Sequence, residues 1–99
     1  MGRIYNLHHY LAIKESVLSG LKRPLIYYLL LNVLTDEWKT GAEIAYKLAD
    51  KIRYAYVSPI RVMSRLNILY KKGIIERKRV NGRHLYRRSS LAESIFREA

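Results

Sequence analysis

Apolar residues recur at helical spacing in the first third of the chain and predict two helices. Over residues 5–20 they lie three and four positions apart, and Gly20 is expected to end the helix. The second helix begins at Pro24, a residue suited to a first helical turn, and continues to residue 34. Because residues 25–34 are apolar nearly all round, we predict that this helix is the most buried element.

Capping residues mark the start of a third helix. Thr40 and Glu43 form a T-x-x-E capping box, in which the hydroxyl and the carboxylate each accept from a free backbone N–H. This places a helix over residues 41–52. Between it and the preceding helix, residues 38–39 leave room for only a very short strand.

A fourth helix is predicted over residues 58–72. Ser58 suits the N-cap, Pro59 suits the first helical position, and Gly73 suits the C-terminal stop. The connector over residues 53–57 separates this helix from the third.

The pattern then changes to two extended runs, residues 74–80 and 83–88, on either side of Asn81-Gly82. Asn-Gly between extended runs predicts a β-hairpin, because a type I′ turn needs positive φ at both central positions. Ser90 and Glu93 form a second capping box, which opens a C-terminal helix within residues 89–99. The predicted class is mainly α with a small β-hairpin, an α+β domain.

Charge is concentrated in one segment. Residues 51–88 contain twelve basic side chains and one acid, whereas residues 1–50 contain six bases and five acids, and residues 89–99 one base and two acids. The net charge of +11 therefore lies in residues 51–88. Such localisation is typical of a protein that binds a polyanion.

Composition narrows the function classes further. A chain of 99 residues with 49% hydrophobic residues has enough apolar surface for one folded domain, and with no cysteine it has no disulfides. The apolar run over residues 24–31 is too short for a bilayer, and no signal-peptide pattern is present, so a cytoplasmic protein is expected. The absence of glutamine, with many Lys, Arg, Ile and Tyr residues, hints at a thermophilic source.

Chemistry-bearing residues are sparse. His8 and His9 point about 100° apart on a helix and share no ligand face. We see no nucleophile–base constellation and no phosphate-binding glycine loop. We expect no enzyme activity, no metal, no cofactor and no small-molecule ligand.

The order of elements and the stretch SPIRVMSRLNILYKKGIIERKRVNGRHLYRR (residues 58–88) resemble the winged helix-turn-helix domain. Within that group the chain looks most like small PadR- and MarR-type regulators, including short forms from archaea and their viruses. The resemblance implies a core over residues 24–88, a recognition helix at 58–72 and a basic wing at 74–88. It also implies that the helix at residues 1–22 serves dimerisation, and the capped C-terminal helix at 89–99 is an addition to the winged-helix core.

The angular positions of side chains around the fourth helix support this interpretation. With Leu66 at the centre of the buried face, the core-facing stripe comprises Val62, Met63, Leu69 and Tyr70. Arg61, Ser64 and Ile68 lie on the opposite side. An outward face with Arg and Ser near the helix N-terminus suits the major groove of B-DNA. The DNA-contacting residues predicted on this helix are Ser58, Ile60, Arg61, Ser64, Arg65 and Lys71.

The hairpin carries more bases than solubility requires: Arg77, Lys78, Arg79, Arg83, His84, Arg87 and Arg88. We expect the base of the hairpin to be packed and the tip to be open. The tip residues predicted to follow the DNA backbone or enter the minor groove are Lys78, Arg79, Asn81, Arg83 and His84. The alternative is a charged edge that blocks strand aggregation. Among the tyrosines, Tyr54 and Tyr56 adjoin the basic segment, whereas Tyr27, Tyr28 and Tyr46 are expected in the core or an interface.

Both terminal helices are amphipathic and lack an evident covering surface, which favours a homodimer that reads an inverted repeat. The predicted dimerisation residues are Leu7, Tyr10, Leu11, Val17, Leu18, Leu91, Ile95 and Phe96. The alternative is that these helices fold back and complete a monomer. The function we predict is sequence-specific binding of double-stranded DNA by a homodimeric transcription regulator. The alternatives are a sequence-neutral architectural DNA-binding protein and an RNA-binding or protein-bridging winged helix.

Overall fold

The computed structural model describes residues 6–52 and 57–98. Mainly helical, this part of the chain contains a small three-stranded antiparallel sheet, in agreement with the predicted α+β class. Its elements in chain order are α1 (Leu7–Glu15), α2 (Pro24–Val33), β1 (Lys39–Thr40), α3 (Gly41–Lys51), α4 (Pro59–Lys71), β2 (Ile75–Val80), β3 (Arg83–Arg88) and α5 (Ser90–Glu98).

The sheet has the order β1-β3-β2, so β3 is the central strand. Lys39 pairs with Tyr86 across β1 and β3, and Val80 pairs with Arg83 next to the hairpin turn. Asn81 and Gly82 have φ angles of 50° and 77°, the left-handed conformations that a type I′ turn requires. The hairpin predicted from Asn-Gly is therefore confirmed.

Helix α2 is the centre of the hydrophobic core, as its apolar composition predicts. Tyr28, Leu30 and Leu31 are almost fully inaccessible, and buried side chains from every other helix join them. On the sheet, Ile75 and Tyr86 face this core. None of the helices described over residues 6–52 and 57–98 is long and apolar enough to cross a membrane.

The caps of α3 and α4 form as predicted. The Thr40 hydroxyl accepts from the Glu43 backbone N–H at 3.1 Å, and Glu43 Oε1 accepts from the Thr40 N–H at 3.0 Å. The hydrogen bond from the Thr40 backbone lowers the pKa of Glu43, because it stabilises the carboxylate. At α4, Ser58 Oγ accepts from the Arg61 backbone N–H at 3.5 Å.

Helix α1 differs from the prediction in length and in buried face. It ends at Glu15, not Gly20, and the Leu18 N–H donates back to the Ile13 carbonyl at 3.0 Å. This turn directs Leu18 into the core. The one fully buried residue of α1 is Ile13, whereas Leu7 and Leu11 face solvent. Ile13 is absent from the apolar stripe that the helical spacing predicts, which comprises Leu7, Tyr10, Leu11, Val17, Leu18 and Leu21.

The cap of α5 also differs from the prediction. Ser89, not Ser90, accepts the capping hydrogen bond, from the Ala92 N–H at 3.2 Å. Glu93 does not close a capping box, because its carboxylate pairs with Arg88 and Arg97.

The terminal helices pack on each other and on α2, contrary to the expectation that they lack covering surface. His9 lies between them: its ring pairs with the Tyr28 hydroxyl and with the Phe96 carbonyl, each at 2.5 Å. Because a carbonyl only accepts, Nε2 donates to the Phe96 carbonyl. The predicted dimerisation residues that are instead buried or packed against the core of the same chain are Tyr10, Val17, Leu18, Ile95 and Phe96.

Candidate nucleic-acid interface

Helix α4 has one buried side and one solvent-facing side. Val62, Leu66 and Leu69 are buried against the core. Arg61 and Ser64 are exposed, and no acidic residue occurs in the helix. An amphipathic helix of this kind presents uncompensated positive charge to solvent, which attracts a polyanion.

The buried stripe of α4 is rotated relative to the prediction. Met63 and Tyr70, expected to face the core, are partly exposed, whereas Ile68, expected to face outward, packs against the core. Met63 lies at the rim, where its sulfur occupies the space that a Cβ at Gly41 would need. The Tyr70 ring faces the Arg77 guanidinium. The rotation moves the protected side toward Arg65, which is half-buried.

The N-cap and the first two turns of α4 contain five of the six residues predicted to contact DNA on this helix. Ile60 is 80% exposed, which is unusual for an isoleucine and leaves its side chain available to a partner. Ser58 is half-buried and engaged as the N-cap. Arg61 and Arg65 border an apolar groove of about 340 Å³ between α2 and α4. Lys71 is exposed at the other end of the helix.

The hairpin tip is open, as expected. Lys78, Arg79, Asn81 and Arg83 are all exposed. His84 is half-buried, with its ring edge-on to Tyr86. Of the predicted tip residues, His84 is thus the one least accessible to a partner.

Three basic residues of the hairpin, none of them among the predicted DNA contacts, are engaged within the fold. The Arg77 guanidinium lies 4.1 Å from the Tyr70 ring centroid, and Arg87 Nε lies 2.7 Å from Glu76 Oε1. Arg88 donates to the Leu31 carbonyl at 3.0 Å, and burial lowers its pKa. The sequence gives the number of charged residues but does not show which of them are paired with other groups of the protein.

A residue that sequence reasoning missed is Trp38, the only tryptophan in the chain. Lys78 Nζ and Arg87 Cζ each lie 4.4 Å from its ring centroid. The sequence alone did not reveal these contacts, because they follow from the pairing of Lys39 with Tyr86, which places the preceding residue beside Arg87.

The tyrosines expected in the core or an interface occupy two kinds of environment. Tyr27 and Tyr28 are buried in the core, whereas Tyr46 is 79% exposed on α3, so of the two expected environments only an interface remains for it. Tyr54 and Tyr56, which adjoin the basic segment, lie outside the described residues.

The interface residues offer charge and hydrogen-bond donors rather than metal-site chemistry. Within the described ranges, no group of three or more His, Cys, Asp or Glu residues is arranged to hold a metal ion. No protein-family model matches the chain, and no curated protein or solved structure matches it.

Proposed function

We propose that this protein binds double-stranded DNA through a winged helix-turn-helix arrangement and acts as a transcription regulator. In this proposal α4 enters the major groove, and the β2–β3 hairpin follows the backbone or enters the minor groove. Phosphate contacts from the hairpin position the protein, whereas base-edge contacts from α4 specify sequence.

The observation that carries the proposal is the difference between the two sides of α4, of which one is basic and exposed and the other is apolar and buried. Its exposed side presents Arg61 and Ser64 with no acid on the helix, while its other side is anchored in the core. A rigid anchor matters because Arg pairs bidentately with guanine only when the helix is held in register. The exposed Ile60 supplies an apolar contact suited to a thymine methyl group.

The β2–β3 hairpin supplies the phosphate contacts in the proposed complex with DNA. Arg79 and Arg83 are exposed, and within the described residues neither forms an ion pair. Basic side chains that have no acidic partner on the protein are available to phosphates, and their binding releases counterions from the DNA.

We also propose a homodimer, which is supported by fewer residues than the sequence predicted. Three of the predicted dimerisation residues keep apolar surface in solvent: Leu7 at 54%, Leu11 at 41% and Leu91 at 71% exposure. A twofold dimer would read an inverted repeat with half-sites about one helical turn apart. Sedimentation of the wild type and of Leu11→Asp tests this: a dimer that the variant disrupts supports it, and a wild-type monomer contradicts it.

The experiment that tests the proposed function is a selection from random duplex DNA, with binding measured at two salt concentrations. For Arg61→Ala we expect a loss of about 1–3 kcal/mol on the selected site and relaxed sequence preference. For Arg79→Ala we expect weaker binding to every duplex and a salt slope smaller by about one unit. Lys14→Ala, which removes an exposed base on α1, is the matched control and should leave binding unchanged.

Each outcome is interpretable. An enriched sequence, lost with Arg61→Ala, supports a sequence-specific regulator. Tight, salt-sensitive binding without enrichment would instead identify the architectural alternative. Preference for RNA or single strands over duplex DNA, or equal effects of Arg61→Ala and Arg79→Ala on every sequence, would contradict the proposed division of roles.

A further inference from the structure

The outer face of the sheet carries an aromatic ring flanked by two cations. Successive strand residues alternate in direction, so Ile75 and Tyr86 face the core while Lys78 and Arg87 face away from it. Trp38, immediately before β1, lies beside Arg87 on this outer face. Both cationic groups are 4.4 Å from the indole centroid, well within the range of a cation–π contact.

The two cations differ in what else they contact. Arg87 is paired with Glu76 at 2.7 Å, so its charge is compensated on the protein. Lys78 is exposed, and no ion pair to it occurs among the residues described here. The indole therefore restrains the Lys78 side chain without neutralising its charge, which a carboxylate in the same place would do.

This restraint has a consequence for binding. A free lysine side chain loses rotamer freedom when it is fixed against a partner, and lysine is among the side chains for which this loss is largest. A side chain that is already held over an aromatic ring loses less of that freedom on binding.

We propose that Trp38 is a positioning residue that pre-orders Lys78 for a phosphate of the nucleic-acid backbone, an inference that rests on the proposed function. Arg87, whose charge is compensated by Glu76, also lies over the ring, and Lys78 supplies the uncompensated charge. Trp38 itself makes no base contact in this scheme.

The test is a double-mutant cycle on duplex affinity. Trp38→Leu removes the aromatic face but keeps apolar bulk, and Trp38→Gln is a second variant suited to a half-exposed position. We expect either to weaken duplex binding about two- to fivefold, the size of one exposed cation–π contact. The loss should disappear in a Lys78→Ala background, persist in an Arg79→Ala background, and be largely restored by Trp38→Phe. Cooperative thermal unfolding confirms that each variant is folded.

The outcomes separate the two proposals. If the wild-type protein binds no duplex, both the proposed function and the role of Trp38 fail. If the wild type binds but Trp38→Leu and Trp38→Gln cost as much with Ala at position 78 as with Lys, only the positioning role fails. Failure of Trp38→Phe to restore binding would likewise contradict a π-face effect.

Discussion

Replacement of Arg88 should destabilise the fold and leave duplex binding intact, although Arg88 belongs to the most basic segment of the chain. Its side chain is 9% exposed and lies 2.7 Å from Glu93 Oε1. It also donates to the Leu31 carbonyl at 3.0 Å and stacks 4.2 Å from the Phe96 ring centroid. These contacts join β3 to α2 and α5, so we assign Arg88 to the core.

The expected cost follows from these contacts. Removing one partner of a buried ion pair typically costs about 3–5 kcal/mol, because the other charge is left uncompensated. Glu93 keeps Arg97 at 3.4 Å and is 17% exposed, which places the cost at the lower end. For Arg88→Met, which retains apolar bulk, we expect a loss of about 3 kcal/mol. In a domain of this size that corresponds to a fall in Tm of about 12–24 °C.

Urea denaturation followed by Trp38 fluorescence measures this loss as a shift of the midpoint at unchanged slope. Adding Glu93→Leu to Arg88→Met should recover part of the stability, because no unpaired carboxylate is then left. Duplex affinity of the folded variant, measured well below its Tm, should equal that of the wild type. A loss below about 1 kcal/mol, too small for a broken buried pair, together with weakened duplex binding, would refute the assignment of Arg88 to the core.

Three further changes test other parts of the fold. His9→Ala should cost about 2 kcal/mol in the free energy of unfolding, measured by urea denaturation, because the ring's hydrogen bonds to Tyr28 and Phe96 are lost; an unchanged midpoint would contradict the role of His9 between the terminal helices. Gly82→Ala should cost about 1 kcal/mol by thermal denaturation, because φ is 77° there while no atom obstructs a Cβ, and Gly82→Asn should cost less. The folded-state pKa of Glu43 lies below the usual 4.5, so the unfolded chain binds the proton first as pH falls. Wild-type stability should therefore fall from about pH 4.5 downward, and a pH series of unfolding curves should show a smaller fall in Glu43→Gln.

Local chemistry made much of the fold predictable. The Thr40–Glu43 box, the Ser58-Pro59 start and the Asn81-Gly82 turn each depend on hydrogen bonds or φ angles within a few residues. The structure reproduces all three. Such signals are readable from sequence because the partner groups are always nearby in the chain.

Features that depend on distant contacts were not predictable in the same way. Helix α1 has apolar residues on more than one side, so periodicity alone did not distinguish Ile13 from Leu7 and Leu11 as the buried position. Its early end at Glu15 depends on a turn that places Leu18 in the core. Which apolar residues of α1 become buried is decided by its packing against α2 and α5, and this packing is not evident from the sequence.

The candidate site likewise contains features that were predictable from local geometry and features that depend on distant contacts. The exposed side of α4, with Arg61 and Ser64, follows from helical geometry and was predicted. The ion pairs of Arg87 with Glu76 and of Arg88 with Glu93 were not predicted, because each of them joins two separate elements. Charge density locates a basic segment, but burial and pairing decide which charges a partner can reach.

The contact between His9 and Phe96 has a consequence for the order of events during synthesis. These residues are 87 positions apart in sequence, and both pack against Tyr28 in the centre of α2. While the chain is still being translated, the part of α2 that Phe96 covers stays open until Phe96 leaves the ribosome. Helices α1 and α2 therefore emerge early but acquire their full protection late, and nascent chains halted before α5 should be readily digested by proteases near α1.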